Sequence, residues 1–248
     1  MIRWMTAFVD MPSDAFDNGV LFWERLTATT RSSPRGEHHQ FATLIPPDGD
    51  AFLRVQRVAD GAAKVHLDLH VDDVPAAAVA AERLGAEQVA DFGYRIMRSP
   101  SGFVFCLVPF HGDHQRPAPV VSAAGTCRVD QLALDIPYAA FPAEALFWAG
   151  FTGWARRTGS RPEFEVLARP PELPLRVLLQ RLGPGDPRTA TTAHLDIACG
   201  ADVAALAVEH VGRGALVERV EERWTTLRDP AGLPYCLTAR DPSTGVLT

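Results

Sequence analysis

No apolar run in the sequence approaches the ~20 residues of a membrane-spanning helix. The first twenty residues carry Arg3, Asp10, Asp14 and Asp17 and hold no uninterrupted apolar core. We therefore expect neither a transmembrane segment nor a signal peptide, and place the chain in the cytoplasm. Cysteine is scarce. Cys106, Cys127, Cys199 and Cys236 show no CxxC spacing, which excludes zinc-ribbon and thioredoxin-type readings and leaves reduced thiols as the expectation. Basic excess is missing too: 24 Lys and Arg face 30 Asp and Glu, for a net charge of −6, which argues against nucleic acid as a partner. Glycine-rich phosphate loops, Gly-x-Ser-x-Gly elbows and His-Glu-x-x-His are all absent. What remains is an ordinary globular balance, 47% hydrophobic and 22% charged, over 248 residues. That length suits one large domain or two small ones.

The chain repeats itself. Val65-His-Leu-Asp-Leu69 returns as Ala193-His-Leu-Asp-Ile197, and Arg98-Ser-Pro-Ser-Gly102-Phe-Val-Phe-Cys106-Leu returns as Arg228-Asp-Pro-Ala-Gly232-Leu-Pro-Tyr-Cys236-Leu. Leu21-Phe-Trp23 faces Leu146-Phe-Trp148, and Gln56-Arg57 faces Gln180-Arg181, all at a near-constant offset. Such matches describe a tandem duplication: one copy over residues 1–112, a second over 126–248, and a linker at 113–125, where proline, glycine and small residues show neither helix nor strand periodicity. Within each copy one plan recurs. Lys64 to Val71 alternates as a half-buried strand, and Pro75 then opens an alanine-rich helix ending at Gly85. Turns at Pro47-Asp-Gly49, Ser99-Pro-Ser-Gly102 and Asp229-Pro-Ala-Gly232 precede apolar runs. The pattern predicts an α+β fold of four β-α-β-β-β units, in which Trp23 and Trp148 serve as helix core.

On these residues the chain resembles the vicinal oxygen chelate superfamily, and within it the glyoxalase-like branch that includes bleomycin-resistance and extradiol-dioxygenase relatives. The resemblance covers nearly the whole chain and implies two tandem domains, each a cupped mixed sheet with helices outside. Catalytic members hold a divalent metal at the base of the cup through His and Glu. His66 and His194 fall where such a histidine is placed, but Cys106 and Cys236 stand where the closing strand usually offers glutamate. On the opening strand the matching position is Trp4 or Met5 in the first copy and Val129 or Asp130 in the second. A catalytic zinc normally takes about three protein ligands, and the first copy supplies only His66 and Cys106 in this reading. We therefore expect no complete metal site. Any divalent ion (Zn, Fe, Mn or Ni) is expected in the second copy, at Asp130, His194 and Cys236.

Alternation also assigns faces. His66, Asp68 and His70 share one, as do His194 and Asp196, and a histidine beside an aspartate makes a usable general base or an anchoring donor. Arg54 and Gln56 share a face of their strand, with Gln180 matching in the second copy, and an arginine there suits a carboxylate or phenolate. The candidate site thus comprises His66 and His194 as catalytic histidines, with Arg54, Gln56, Asp68, His70, Cys106, Gln180, Asp196 and Cys236 as ligand-binding residues. The expected function is capture of a small, apolar or aromatic organic molecule in a pocket without a complete metal site. The alternative is a lyase, isomerase or dioxygenase, metal-assisted in the second domain or metal-free with a histidine base. The expected state is a monomer or homodimer.

Overall fold

The computed structural model describes residues 1–247, so the last residue of the second copy, Thr248, lies outside the described residues. The first copy runs β1 (Ile2–Pro12), α1 (Phe16–Thr27), β2 (Thr30–Arg31), β3 (Phe41–Ile45), β4 (Leu53–Val58), β5 (Lys64–Val71), α2 (Val74–Arg83), β6 (Glu87–Asp91), β7 (Arg95–Arg98) and β8 (Val104–Pro109). After β9 (Val120–Ser122), which lies in the intervening segment, the second runs β10 (Gly125–Ile136), α3 (Phe141–Thr152), β11 (Arg156–Thr158), β12 (Phe164–Leu167), β13 (Arg176–Arg181), β14 (Thr192–Ala198), α4 (Val203–Gly212), β15 (Leu216–Val220), β16 (Trp224–Arg228) and β17 (Pro234–Thr238). Four β-α-β-β-β units are therefore present among the described residues, and β9 is additional to them. The strand orders, β2-β3-β4-β1-β5-β8-β7-β6 and β11-β12-β13-β10-β14-β17-β16-β15, are the same order written twice. Both sheets are mixed: β5 pairs β8 in parallel, β14 pairs β17 in parallel, and hairpins supply antiparallel neighbours.

The segment 113–125 is not featureless. Val120–Ser122 pairs antiparallel with Gly125–Cys127, closing a tight hairpin. Gly125 adopts φ 146°, and a side chain there would collide with Asp202, so glycine is required. Upstream, Gln115 is tied to Asp50 through both backbone and carboxylate, and the Ala118 amide donates to Asp48.

Packing gathers the chain into two compact units that differ from the two sequence copies. One comprises Met1–Ala7, His66–His114 and Leu132–Ala193; the other comprises Phe8–Val65, Gln115–Gln131 and the described residues from His194 onward. In the first, Phe105 on β8 meets Phe147, Trp148 and Phe151 of α3, the Trp148 ring lying 5.2 Å away. In the second, Tyr235 on β17 meets Phe22 and Trp23 of α1 at 5.9 and 5.7 Å. Trp23 and Trp148 are 0% and 1% exposed, which makes both core residues.

Each buried indole needs an acceptor, because an unpaired buried N–H carries its full desolvation cost. Trp23 Nε1 donates to Asp229 in the Asp229-Pro-Ala-Gly turn at 2.8 Å, and that carboxylate also caps the Ala231 and Leu233 amides. The other unit solves the same problem from the opposite side. There the turn carries Ser99, and the acceptor is Glu144 of α3, which takes bonds from Trp148 Nε1 (2.9 Å), Ser99 Oγ (2.5 Å) and the Ser101 amide (2.8 Å). In α1 the matching position is Gly19, whose missing Cβ would lie 3.1 Å from Ala231 and into Met11, so no glutamate fits. Burial pushes the carboxyl groups of Glu144 and Asp229 above their ordinary values against these hydrogen bonds.

Candidate functional site

Parallel pairing of β5 with β8 sets Asp68 directly beside Cys106, and His66, two residues earlier on β5, shares the face of Asp68. One ligand atom from each of His66, Asp68 and Cys106 lies within 4.8 Å of the others. His66 Nε2 is 3.8 Å from Asp68 Oδ1; the aspartate and cysteine are buried and the histidine half-buried. His70, the third polar residue of this face, is buried and bonds Thr6 Oγ1 at 2.9 Å. The half-buried Tyr94 phenol feels the group too: burial, then Cys106 and Asp68, raise its pKa.

The second copy repeats the arrangement through β14 and β17. Asp196 pairs with Cys236, and His194 Nε2 lies 3.3 Å from Asp196 Oδ1, with all three groups again within 4.8 Å. Thr226 Oγ1 sits 3.5 Å from Cys236 Sγ. The carboxylate that joins His194 and Cys236 is thus Asp196; Asp130, expected from sequence to be the third ligand, is committed elsewhere. Buried Asp130 accepts from Arg240 Nε at 3.2 Å and Nη2 at 2.5 Å, a two-pronged pair that satisfies both carboxylate oxygens. Arg240 Nη1 also lies 3.6 Å from Asp196 Oδ2, which accepts from Gln131 Nε2 at 2.5 Å. Burial opposes charge on Asp196, but the His194 hydrogen bond, the charges of His194 and Arg240, and the Gln131 bond outweigh it and hold the carboxyl below its ordinary range. Burial likewise works against the Arg240 charge, and the Asp130 and Asp196 carboxylates raise its pKa in spite of it.

The remaining expected residues lie on sheet strands. Arg54, on β4 opposite Thr43, stacks its guanidinium 5.6 Å from the Phe8 ring centre, and Phe8 makes an edge contact with Phe41 at 6.1 Å. Gln56 is half-buried opposite Phe41, and Gln180 is half-buried opposite Phe164. Thr6, Tyr94, Gln131, Thr226 and Arg240 are contributors that sequence reasoning missed. For Arg240 a signal lay in the repeat itself, because Asp130 and Arg240 stand where the first copy has Met5 and Phe110.

Chemically, each group offers an imidazole, a carboxylate and a thiol, a set of donors that suits a borderline-soft divalent ion with one open position as well as a hydrogen-bonded organic ligand. Both groups have the donor types to hold a metal. An apolar hollow lined by Leu26, Leu44, Phe52, Pro117, Val129 and Ile197 is a separate place, since Ile197 follows Asp196 and points to the other side of β14. No helix among the described residues is long and apolar enough to cross a membrane.

Comparison with known proteins agrees with this fold. The chain is similar in structure to a triple mutant of 4-hydroxymandelate synthase from Streptomyces coelicolor (14% identity, 98% of this chain and 94% of that one, TM-score 0.63). It is also similar to 2,2',3-trihydroxybiphenyl 1,2-dioxygenase from Sphingomonas wittichii (17%, 99% and 95%, TM-score 0.61). A third likeness is to the Mn(II)-bound glyoxalase of Novosphingobium aromaticivorans (14%, 100% and 85%, TM-score 0.60). At these identities the likeness is one of fold. No curated protein matches the chain. The model of the glyoxalase-like domain matches residues 6–108 and again 131–238. The chain belongs to the glyoxalase-like domain family of the vicinal oxygen chelate superfamily and carries that domain twice.

Proposed function

We propose that the protein binds a small organic molecule, apolar or aromatic, at the sheet faces that carry His66, Asp68 and Cys106 and, in the second copy, His194, Asp196 and Cys236. One observation carries this reading: the same His-Asp-Cys arrangement, its aspartate and cysteine buried, is built twice by the same strand register. Buried polar groups concentrated on one sheet face are costly to maintain and suit an occupant that hydrogen-bonds to them. Two structurally similar proteins are named for phenolic compounds, a hydroxymandelate and a trihydroxybiphenyl, which supports the aromatic choice. His66, oriented by Asp68, is then the hydrogen-bonding or proton-accepting contact to a phenolic or enolic oxygen.

A second reading, a lyase, isomerase or dioxygenase, is favoured by the three donors of the first group lying within 4.8 Å. His66, Asp68 and Cys106 would hold the divalent ion, which when bound supplies Lewis-acid polarisation of a ligand oxygen. Titration of the full chain with a panel of mono- and polycyclic phenols, followed by tryptophan fluorescence, should give saturable quenching for at least one member. His66→Ala should weaken that binding tenfold or more. A panel that leaves emission unchanged overturns the binding reading. Elemental analysis separates the two readings: a metal-to-chain ratio near zero after purification without chelators removes the metal-assisted enzyme and leaves ligand binding standing.

A further inference from the structure

The two His-Asp-Cys groups share their ligand types but differ in the charge built behind them. Where the first copy has Met5 and Phe110, the second has Asp130 and Arg240, and both members of the new pair are buried, at 1% and 8% exposure. Arg240 grips Asp130 with two nitrogens and directs its third toward Asp196 at 3.6 Å. Asp196 is the carboxylate that a metal at this group would need. Its Oδ2 already accepts from Gln131, and its Oδ1 faces His194. Two further guanidiniums, Arg116 and Arg128, lie within the field of Asp130 and repel each other. The surroundings of Asp196 and Asp130 are therefore supplied with positive charge from the chain itself.

We propose that Arg240 is a built-in counter-cation that takes the electrostatic place of a divalent ion in the second group, so that His194, Asp196 and Cys236 hold no metal while Arg240 is present. A divalent ion bonded to Asp196 at about 2 Å would sit close to a guanidinium that cannot lose its proton. Arg240 turns Nη1 toward Asp196 and its other two nitrogens toward Asp130, so Asp130 offsets only part of the guanidinium's repulsion of an ion at Asp196, and the remainder, in a buried setting, lowers affinity. The alternative, that Arg240 only pins the end of the chain to β10, predicts no effect on metal affinity. Since the inference concerns a cation and the cobalt readout below involves no organic ligand, its failure and that of the binding reading are separate results.

The test uses the full chain with His66→Ala and Cys106→Ser, which removes the first group, titrated with Co²⁺ alone and read by thiolate-to-cobalt charge-transfer absorption and by bound cobalt after dialysis. This background should show no thiolate band. Adding Asp130→Met with Arg240→Phe installs the first copy's own uncharged pair, and should bring one bound cobalt per chain with a Cys236 band, at least a hundredfold tighter than the background. Further replacement by Cys236→Ser should abolish the band. A thiolate band in the background with Arg240 intact overturns the proposal. So does a folded exchanged protein, judged by circular dichroism and cooperative melting, that gains no cobalt. If the exchanged pair fails to fold, Asp130→Asn with Arg240→Gln removes the charges while keeping polar groups, and is read by the same standard.

Discussion

Arg240→Met alone should destabilise the protein by about 3–5 kcal/mol, the cost typical of breaking a buried ion pair from one side. The loss is large because two carboxylates are left behind. Asp130, 1% exposed, loses both of its guanidinium bonds, and Asp196 loses the charge at 3.6 Å. Exchanging both partners for the first copy's residues, Asp130→Met with Arg240→Phe, should cost much less, because Asp130 leaves together with its partner, apolar volume replaces the pair, and Asp196 keeps its contacts to Gln131 and His194. Denaturant unfolding at neutral pH measures both differences. Their pH dependence has a definite sign. Asp196 is held below its ordinary range, so the stability it contributes is fully present above that range and is lost as pH falls through its depressed value. Removing Arg240 should weaken that acid-side loss, since part of what holds the carboxyl down is gone.

Glu144→Ala is expected to cost on the order of 4 kcal/mol, from buried donors losing their acceptor at roughly 1–3 kcal/mol each. Trp148 Nε1, Ser99 Oγ and the Ser101 amide all converge on this carboxylate. Urea unfolding gives the number, and a second variant gives the reason. Ser99→Asp combined with Glu144→Ala places the acid in the turn, as Asp229 is placed against Trp23, and should recover a substantial part of the loss. The pH signature runs opposite to that of Asp196. Because burial raises the Glu144 carboxyl above its unfolded value, its proton is held more tightly in the folded state, and stability falls as pH rises between the two values. Relative to wild type, Glu144→Gln should therefore gain stability with rising pH across that window, with a slope of at most about 1.4 kcal/mol per pH unit for one proton.

Much of the fold was legible because its signals are local. Alternation from Lys64 to Val71, the proline at the start of α2 and the Pro-Gly turns mark elements within a few residues, and the repeat multiplies each signal by two. What depends on distant register was not legible. Alternation placed His66 and Asp68 on one face, but only the parallel pairing of β5 with β8, set across an intervening helix and hairpin, places Cys106 beside Asp68. The same pairing explains why Asp196 rather than Asp130 joins His194 and Cys236. Arg240 lies beyond the closing strand, where no periodicity applies, and was visible only as a difference between the copies. The three residues Val120–Ser122 are too few for a period of two to register. The compact units were hidden for a further reason: α1 packs on β17, some two hundred residues downstream, and a helix's apolar stripe states that it has a partner without naming it.

The most direct test of ligand binding at the His-Asp-Cys faces is a histidine-ring nitrogen–proton NMR titration of the full chain, with each of its eight histidines assigned by substitution. The ligand is the phenol that gives the strongest fluorescence response. The His66 ring signals should shift saturably, with or without those of His194, while those of His38, His39, His111 and His114 stay in place. Saturable binding that leaves both His66 and His194 unmoved would contradict the account.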